Sequence, residues 1–456
     1  MNKQEIKERI KNGERAQAVR EKLTQRTPKC AEVKTRGTGT LASEIVQTVD
    51  LPHPIYIGSA EGPNLTDIDG NEYIDLTGGF GPCVLGNRPA VVEEALAKQI
   101  KKGWHYGLPC EEQLELAEII KDAGACVDQV LFCNTGTEAV MYAMRAARAF
   151  TGKQKIATFG GSYHGAEDYE LIKEDFTSDP NAPAKQTMGA GIPPVIADLM
   201  MVLPYRNSAA FDLIREHKDE LALVMIEPAQ SSNPRTDCGD FLRELKKVCT
   251  ECGVLFMFDE VITGFRMAYG GCQEYYDIKP DLASYGKAIG GGMPIGAVGG
   301  RKDIMNVFSG TDDAPYTFAG GTFGGNPMTM TAGLAAGSYM QAHKDEIYPY
   351  LEQQGDRFAQ EVNDYCESNQ IAAQLMNAGS MFHLLFTANE VNAARDIDRD
   401  KSTIEREFYL HLLGHDVIVP GIHLGFLSYA HKESDVDTVV DAFKASFDDL
   451  RVDGLI

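Results

Sequence analysis

The chain has 456 residues, of which 43% are hydrophobic and 24% are charged. This balance is that of a globular protein rather than a disordered or fibrous one, and the length favours more than one domain and a core that can enclose a cofactor. The formal net charge of −23 disfavours phosphate backbones and anionic lipid heads, so we expect neither nucleic acid nor membrane partners.

The first residues, MNKQEIKERIKNGERAQAVREKL, are charged throughout and lack the apolar region of a signal peptide. No run in the chain approaches the roughly 20 apolar residues of a membrane span. The ten cysteines are scattered, which indicates reduced thiols. The single CxxC, Cys249 to Cys252, has no second ligand pair, so we expect no metal site. These features together predict a cytoplasmic protein.

The pattern of the chain changes character twice. Residues 1–79 read as a polar helix, an irregular segment and short strands, and are predicted to pack with a small domain. Residues 80–336 alternate helix-like stretches with apolar runs such as Leu221–Ala229 and Val254–Glu260. Such alternation predicts a large α/β domain with a mostly parallel sheet. Residues 337–456 mix polar helices with strand-like runs, which predicts a smaller α+β domain.

The first candidate site in chain order is a turn between a strand and a helix. An apolar run ends at Cys133, and the letters NTGT precede a helical stretch. The free N–H groups and the dipole of a helix N-terminus bind anions such as phosphate, and Gly136 and Thr137 would donate to one. Taken alone, such a segment is more often a simple helix cap.

The second candidate is the loop after the next strand, which carries Tyr163 and His164 between glycines. A tyrosine there can stack on a cofactor ring. A lone Tyr-His pair, however, more often serves packing.

The third candidate is an acid pair, Asp259 and Glu260, that directly follows apolar residues. Its position predicts the carboxyl end of a strand, the edge where open α/β sheets bind ligands. A buried carboxylate needs a positive partner, and a protonated pyridine nitrogen is a suitable one. The alternative is an acid pair that caps the strand against Arg266.

The fourth candidate is Lys287, which lies between an apolar strand and three consecutive glycines. Partial burial lowers the pKa of a lysine, so that a neutral amine is available to attack an aldehyde. The glycines allow the backbone to pass close to a flat ring. Most lysines are simply solvated, so this feature is also ambiguous alone.

The joint order of these four features resembles that of the class III (ω-) aminotransferases, which are pyridoxal-5′-phosphate (PLP) enzymes of fold type I. Within that family the chain is most similar to glutamate-1-semialdehyde aminomutase. The matching stretches are TDIDGNEYIDL, GPCVLGN, NTGTEAVMYAMRAARAFTG, SYHG, IEP, FDEVITGFR, PDLASYGKAIGGGMPIGAVGG and GGTFGGNP. The resemblance implies a large domain with a mostly parallel seven-stranded sheet and a smaller α+β domain formed by both termini.

The resemblance implies catalytic roles for Lys287, Asp259 and Tyr163. Lys287 would carry PLP as a Schiff base and, once released by the substrate, move a proton between the substrate Cα and the cofactor. Asp259 would pair with the pyridinium nitrogen. Tyr163 and Val261 would lie on opposite faces of the ring.

The resemblance also implies further cofactor contacts. Gly136 and Thr137 would hold the phosphate, and Thr322 would reach the same phosphate from the partner subunit of a homodimer. Ser232 or Asn233 would hydrogen-bond the ring hydroxyl. The whole implied cofactor-binding set is Gly136, Thr137, Tyr163, His164, Glu227, Ser232, Asn233, Asp259, Val261, Lys287 and Thr322.

Three departures from the aminomutase pattern fall on substrate-facing positions. Phe80 stands where the family member has tryptophan before Gly-Pro, and His423 stands where the aminomutase has an acid before GFLS. No arginine occurs between Arg36 and Arg88, although the aminomutase supplies a substrate-binding arginine from this region, and Gln47 stands near that place. We therefore expect Phe80 and His423 to contact a different substrate.

The resulting hypothesis is a PLP-dependent aminotransferase. It would move an amino group from an amine or amino-acid donor to a keto or aldehyde acceptor in a ping-pong cycle. The alternatives are an intramolecular aminomutase of the glutamate-1-semialdehyde type, or an amino-acid racemase. A non-catalytic PLP-binding protein is a third class, which the joint presence of Lys287, Asp259, Tyr163 and Thr322 argues against.

Overall fold

The computed structural model describes residues 3–42, 51, 53–310, 315–421 and 424–456. The chain divides into two units. The small unit comprises Met1–Pro89, Tyr350–Val391 and Asp396–Ile456, and the large unit comprises Ala90–Pro349 and Asn392–Arg395.

The helices are α1 (Lys3–Asn12), α2 (Glu14–Arg26), α3 (Pro28–Gly37), α4 (Ala90–Gln99), α5 (Glu111–Ala123), α6 (Gly136–Thr151), α7 (Pro194–Asp198), α8 (Ala209–His217), α9 (Gly239–Cys252), α10 (Gly271–Tyr276), α11 (Lys302–Met305), α12 (Pro327–Ala342), α13 (Lys344–Ser368), α14 (Ser402–Gly414) and α15 (Glu433–Val452). Short 3-10 helices lie at Gly78–Phe80, Lys287–Gly290, Asn306–Phe308, Ala394–Asp396 and Arg399–Lys401. Among the described residues, no helix combines the length and the apolar character needed to cross a membrane.

The strands are β1 (Ile57–Glu61), β2 (Asn64–Asp67), β3 (Glu72–Asp75), β4 (Gln129–Cys133), β5 (Lys155–Phe159), β6 (Ile172–Glu174), β7 (Lys185–Thr187), β8 (Met200–Leu203), β9 (Leu221–Ile226), β10 (Leu255–Glu260), β11 (Leu282–Gly286), β12 (Gly296–Gly300), β13 (Gln374–Ala378), β14 (Met381–Leu385), β15 (Val417–Ile418) and β16 (Gly425–Phe426).

The large unit is built on a seven-stranded sheet with the order β4-β12-β11-β10-β9-β5-β8. Its neighbouring strands are parallel, except that β12 runs antiparallel to both β4 and β11. Every residue of β9 and β10 is buried, as expected for strands covered on both faces. The predicted α/β fold with a mostly parallel seven-stranded sheet is therefore confirmed.

Helix α6 shows how the sequence sets one element of this unit. Its buried face includes Ala139, Ala143 and Ala147 at helical spacing, so small side chains allow close packing. The helix begins with a capping box in which Thr135 accepts a hydrogen bond from the N–H of Glu138. It ends at Gly152, whose φ of 70° suits the left-handed cap.

The small unit contains two sheets, β1-β2-β3-β15 and β13-β14-β16. Strand β15, from the C-terminal part of the chain, pairs in parallel with β3 from the N-terminal part. The core of the small unit contains a cluster of phenylalanine rings whose centroids lie between 4.6 and 6.3 Å apart. They include Phe358, Phe382, Phe408, Phe443 and Phe447. Both ends of the chain therefore contribute to one unit.

Four residues from the C-terminal part of the chain, Asn392–Arg395, group with the large unit. The guanidinium of Arg395 pairs with the buried Glu174 carboxylate of β6, its Nε donating to Oε1 at 2.9 Å. Ala394 lies against Gly161, where an added Cβ would collide with it. This short segment thereby packs beside the loop that follows β5.

Candidate active site

The predicted site residues of the large unit gather at one edge of the sheet. Strands β4, β5, β9, β10 and β11 point in the same direction, so their carboxyl ends lie together. The residues at or just after those ends are Gly136, Thr137, Tyr163, His164, Glu227, Asp259, Val261 and Lys287. This is the edge at which open α/β sheets bind ligands.

Asp259 is the best-connected acid of this edge. It is buried, and its Oδ1 accepts hydrogen bonds from Ser284 Oγ at 2.7 Å and from the backbone N–H of Val261 at 3.1 Å. Its Oδ2 lies 2.6 Å from Nδ1 of His164. These contacts orient the carboxylate.

His164 connects Asp259 to the neighbouring strand. Because an ionised carboxylate can only accept, Nδ1 of His164 donates to Asp259, and Nε2 faces Thr158 Oγ1 at 2.8 Å. Both partners are buried. The structure thus places His164 behind Asp259, where it supports the carboxylate.

Lys287 occupies the first position after β11, next to the end of β10. Its φ of 47° lies in the left-handed region, which costs a side-chain-bearing residue about 1 kcal/mol. Burial lowers the pKa of the Lys287 ammonium to about 8, and the charges of Glu227 and Asp259 oppose that shift. About a tenth of the amine is therefore uncharged near neutral pH.

The N-terminus of α6 lies at the same edge of the sheet, because the helix begins shortly after the end of β4. The N–H groups of Gly136 and Thr137 belong to the first turn, which has no intrahelical acceptor for them. A Cβ added at Gly136 would lie 2.7 Å from Cγ1 of Val261. Glycine at 136 is therefore needed for Val261 to approach the helix end.

Tyr163 is 47% exposed even though the backbone around it is fixed. Its N–H donates to Oε2 of the buried Glu227 at 2.8 Å. Burial raises the pKa of Glu227 and, together with the carboxylates of Glu170 and Glu227, raises the pKa of the Tyr163 hydroxyl. An aromatic face held in place but left open is suited to stack on a flat ligand.

Ser232 and Asn233 follow β9 at the turn after Gln230. Both side-chain polar atoms of Asn233 are buried and lack a hydrogen-bond partner within the described part of the chain. Ser232 Oγ lies near Gly161, where an added Cβ would be 2.9 Å from it. A buried amide without a partner is costly, so Asn233 suits a polar ligand atom.

Thr322 lies in an exposed turn before α12. The same turn passes close to β4 and α6 of its own chain, since a Cβ at Gly321 would lie 3.3 Å from Nδ2 of Asn134. The Tyr142 hydroxyl also donates to the Gly320 carbonyl at 2.8 Å. The turn is thus anchored, with Thr322 pointing out of the large unit's packed interior.

The two predicted substrate positions are placed differently. Phe80 belongs to the small unit, is 36% exposed and has a φ of 66°. His423 lies outside the described residues, as does Gln47.

The sequence reasoning missed several polar residues of this edge. Ser284 contacts Asp259, and Thr158 contacts His164. A polar residue within the buried strands β11 and β5 was the signal that the sequence offered for them. Lys173 donates to the Ser162 carbonyl at 2.9 Å and lies 5.4 Å from the Tyr163 ring centroid. Nothing in the local sequence marked Lys173 or Glu170 as neighbours of Tyr163.

The residues present fit a phosphorylated pyridine cofactor. The donor set includes first-turn N–H groups for an anion, a buried carboxylate for a protonated ring nitrogen, an open tyrosine face and an amine of lowered pKa. The buried Asn233 amide, which has no partner in the described structure, supplies a contact for a ring substituent.

Comparison with known proteins gives consistent results. The sequence model of the class-III aminotransferases matches residues 44–423. Glutamate-1-semialdehyde 2,1-aminomutase of Archaeoglobus fulgidus is 37% identical over 398 residues, which is 87% of this chain and 93% of that protein. The protein of the same name from Francisella philomiragia is 36% identical over 88% of this chain and 93% of its own length.

Solved structures resemble the chain as well. An ω-transaminase from Sphaerobacter thermophilus superposes with a TM-score of 0.86 at 32% identity, covering 92% of this chain and 98% of that one. A β-phenylalanine aminotransferase from Variovorax paradoxus superposes with a TM-score of 0.83 at 27% identity, covering 96% and 97% of the two chains. Both similarities extend over nearly the whole length.

Proposed function

This chain belongs to the class-III aminotransferase family, and from that premise we propose that it moves an amino group from an amine or amino-acid donor to a keto or aldehyde acceptor. The cofactor is PLP. The observation that carries the proposal is the pair Lys287 and Asp259, an amine of lowered pKa and an oriented carboxylate at adjacent strand ends.

Lys287 has two tasks in this proposal. Its uncharged Nζ would hold the cofactor aldehyde covalently, with release of water, and the lowered pKa of the amine provides the reactive form. When not joined to the cofactor, the same nitrogen would move a proton between the substrate Cα and the cofactor. The left-handed backbone at Lys287 directs the side chain from the strand end.

When bound, PLP supplies an electron-withdrawing ring that stabilises negative charge at the substrate Cα. Asp259 would accept a hydrogen bond from the protonated ring nitrogen, and Ser284, Val261 and His164 orient its carboxylate. Tyr163 and Val261 would lie against the two faces of the ring and keep water from it.

The remaining residues hold the other substituents. Gly136 and Thr137 bind the phosphate at the start of α6. The buried Asn233, with Ser232 beside it, contacts the ring hydroxyl. The Glu227 carboxylate holds the Tyr163 loop by accepting a hydrogen bond from the backbone N–H of Tyr163.

We also propose a homodimer in which Thr322 of one subunit completes the phosphate site of the other. A set of exposed apolar side chains surrounds the turn of Thr322, and His105 contacts Phe323 with ring centroids 5.2 Å apart. This interface patch consists of Trp104, Tyr106, Leu108, Phe318 and Phe323, each at least 42% exposed. Contiguous exposed apolar side chains of this kind mark protein interfaces.

A second candidate function is an intramolecular aminomutase, which the curated relatives at 36–37% identity favour. The same lysine and ring serve both reactions, so the difference lies in whether the amino group moves between two molecules or between two carbons of one molecule. Glutamate-1-semialdehyde supplied without another amine distinguishes them. A stoichiometric isomer with the amino group moved from carbon 2 to carbon 1 supports the aminomutase.

Reduction with borohydride tests the covalent link. The PLP-loaded protein is reduced, digested and mapped, and the expected label is on the peptide that contains Lys287. In a separate sample that is not reduced, a single amine donor should release its keto product in an amount equal to the enzyme, as the first half of a ping-pong cycle requires. Label on another lysine, or none, contradicts the proposal.

A further inference from the structure

Glu170 is a buried acid for which the proposed chemistry has no use. It is 1% exposed and lies just before β6. Its Oε2 accepts a hydrogen bond from the N–H of Glu167 at 3.1 Å. Its Oε1 is buried and has no hydrogen-bond partner in the described ranges. An acid placed in this way requires a reason, because an unsatisfied buried oxygen is destabilising.

Glu170 meets the proposed phosphate site at Gly165. A Cβ added at Gly165 would collide with both Glu170 Oε2 and Thr137 Oγ1, so these two oxygens border the same glycine. Thr137 Oγ1 also accepts from the N–H of Ala166 at 3.2 Å. Two successive N–H groups of this loop therefore have different acceptors. That of Ala166 donates to Thr137, and that of Glu167 donates to Glu170.

The charges around Glu170 favour its protonated form. Burial raises the pKa of Glu170 to about 9, and the negative charges of Asp259 and Glu167 act in the same direction. The Lys173 ammonium acts in the opposite direction and lowers the pKa of Glu170. Glu170 in turn raises the pKa of the Tyr163 hydroxyl. A carboxylate at this position would also repel a phosphate dianion bound at Thr137, whereas an uncharged acid would not.

We infer that Glu170 is a positioning residue of the phosphate site. In its uncharged form it supports Thr137 and the loop from Gly165 to Glu167, and loss of its proton weakens the hold on the cofactor phosphate. The inference rests on the proposed function, because it takes the group bound at Thr137 to be the phosphate of PLP. It predicts that the protein holds the cofactor less tightly at high pH, which could not be expected from the sequence motif.

The test measures affinity for pyridoxamine 5′-phosphate, which binds without a covalent link to Lys287. Wild type, Glu170→Gln and the matched control Asp168→Asn are titrated by calorimetry near pH 7 and near pH 10. Glutamine has the shape of the protonated acid and cannot ionise. Asp168 is a partly buried acid two residues before Glu170.

The expected result is a difference that appears only at high pH. Near pH 7 the three proteins should agree within about threefold. One pH unit above the pKa only about a tenth of Glu170 remains protonated, so wild type and Asp168→Asn should bind about tenfold more weakly than Glu170→Gln near pH 10. Unphosphorylated pyridoxamine should show no such difference between the proteins.

Several results would overturn the inference. These are a Glu170→Gln variant that binds no better than wild type near pH 10, one that has already lost affinity near pH 7, or one whose advantage is equal for pyridoxamine. Thermal unfolding of the same samples verifies that all three proteins are folded. Failure of the proposed function would show separately, as wild type that takes no borohydride label at Lys287.

Discussion

At the scale of single residues, Lys287 combines a left-handed backbone with an amine whose pKa burial lowers to about 8. Lys287→Ala should abolish turnover and still bind PLP noncovalently, because Asp259, Tyr163 and the α6 N-terminus remain. Turnover and cofactor content after gel filtration are the measurements. Lys173→Ala is the matched control, a second lysine of lowered pKa near the site that should still permit the covalent link. Substantial turnover by Lys287→Ala would contradict the role.

Asp259 is the second residue whose chemistry can be isolated by mutation. Asp259→Asn keeps the shape but loses the charge that holds a proton on the ring nitrogen, so the rate should fall on the order of 100-fold or more. Ser284→Ala, which removes only one hydrogen bond to Asp259, should cost about 1 kcal/mol, or several-fold. Single-turnover rates with one amine donor compare the two. An Asp259→Asn rate within about threefold of wild type would argue against the ring-nitrogen pairing.

Glu170 also makes a prediction about stability. Its folded pKa of about 9 lies above the ordinary value of 4.5, so the folded chain binds the proton more tightly than the unfolded chain. Stability from this group is complete below about pH 4.5 and is lost progressively as the pH rises to about 9. Glu170→Gln removes the loss and should stabilise the protein, on the order of 2 kcal/mol near pH 7.

Thermal unfolding of Glu170→Gln and wild type between about pH 5 and pH 9 measures this effect. The gap between the two midpoints should widen as the pH rises. Asp168→Asn again serves as the control, since this partly buried acid lies two residues before Glu170. A gap that is constant with pH would contradict the raised pKa of Glu170.

The sequence revealed some of these residues and not others for a physical reason. Lys287 and Asp259 each follow an apolar strand, and a polar residue at that position is readable from local pattern alone. Glu170 acquires its environment from Thr137, and Ser284 acquires its role from Asp259. Such partners are set by the order of strands in the sheet, which single-sequence patterns do not contain.

At the scale of elements, α6 depends on its capping box for a rigid first turn. Thr135→Ala removes the hydrogen bond to the N–H of Glu138 and should cost about 1 kcal/mol. Because Gly136 and Thr137 follow directly, affinity for pyridoxamine 5′-phosphate should fall as well. Thr151→Ala, at the far end of the same helix, is the control and should leave that affinity unchanged. Equal affinities of the two variants would show that phosphate binding does not depend on the cap.

The sheet shows which aspects of the elements were predictable. The apolar runs of β9 and of the first four residues of β10 predicted buried parallel strands, and the structure confirms them. The reversal of β12 was not predicted from the chain. Its residues, GAVGG, are all buried and carry no mark of direction, because strand direction follows from the connection that precedes it.

At the scale of the whole molecule, the interface patch is the feature with a direct consequence. Phe323→Asp should disrupt the proposed dimer, because a charge at a buried apolar interface is costly without a partner. Loss of the dimer should also reduce PLP retention, since Thr322 would no longer reach the other site. Light scattering gives the mass, and absorbance after gel filtration gives the retained cofactor.

Val195→Asp provides the control for this prediction. Val195 is similarly exposed but lies on α7, outside the interface patch. The variant should keep both the dimer and its cofactor. A Phe323→Asp protein that stays dimeric, or a monomer that retains PLP fully, would contradict the shared site.

The parallel pairing of β15 with β3 joins segments that lie more than 300 residues apart in the chain. During synthesis, the large unit has nearly all of its sequence once residue 349 has emerged, while the small unit still lacks about a hundred residues. The ribosome therefore finishes the small unit last. A stop codon between codons 350 and 417 would leave the N-terminal strands without their pairing to β15, whatever the state of the catalytic sheet.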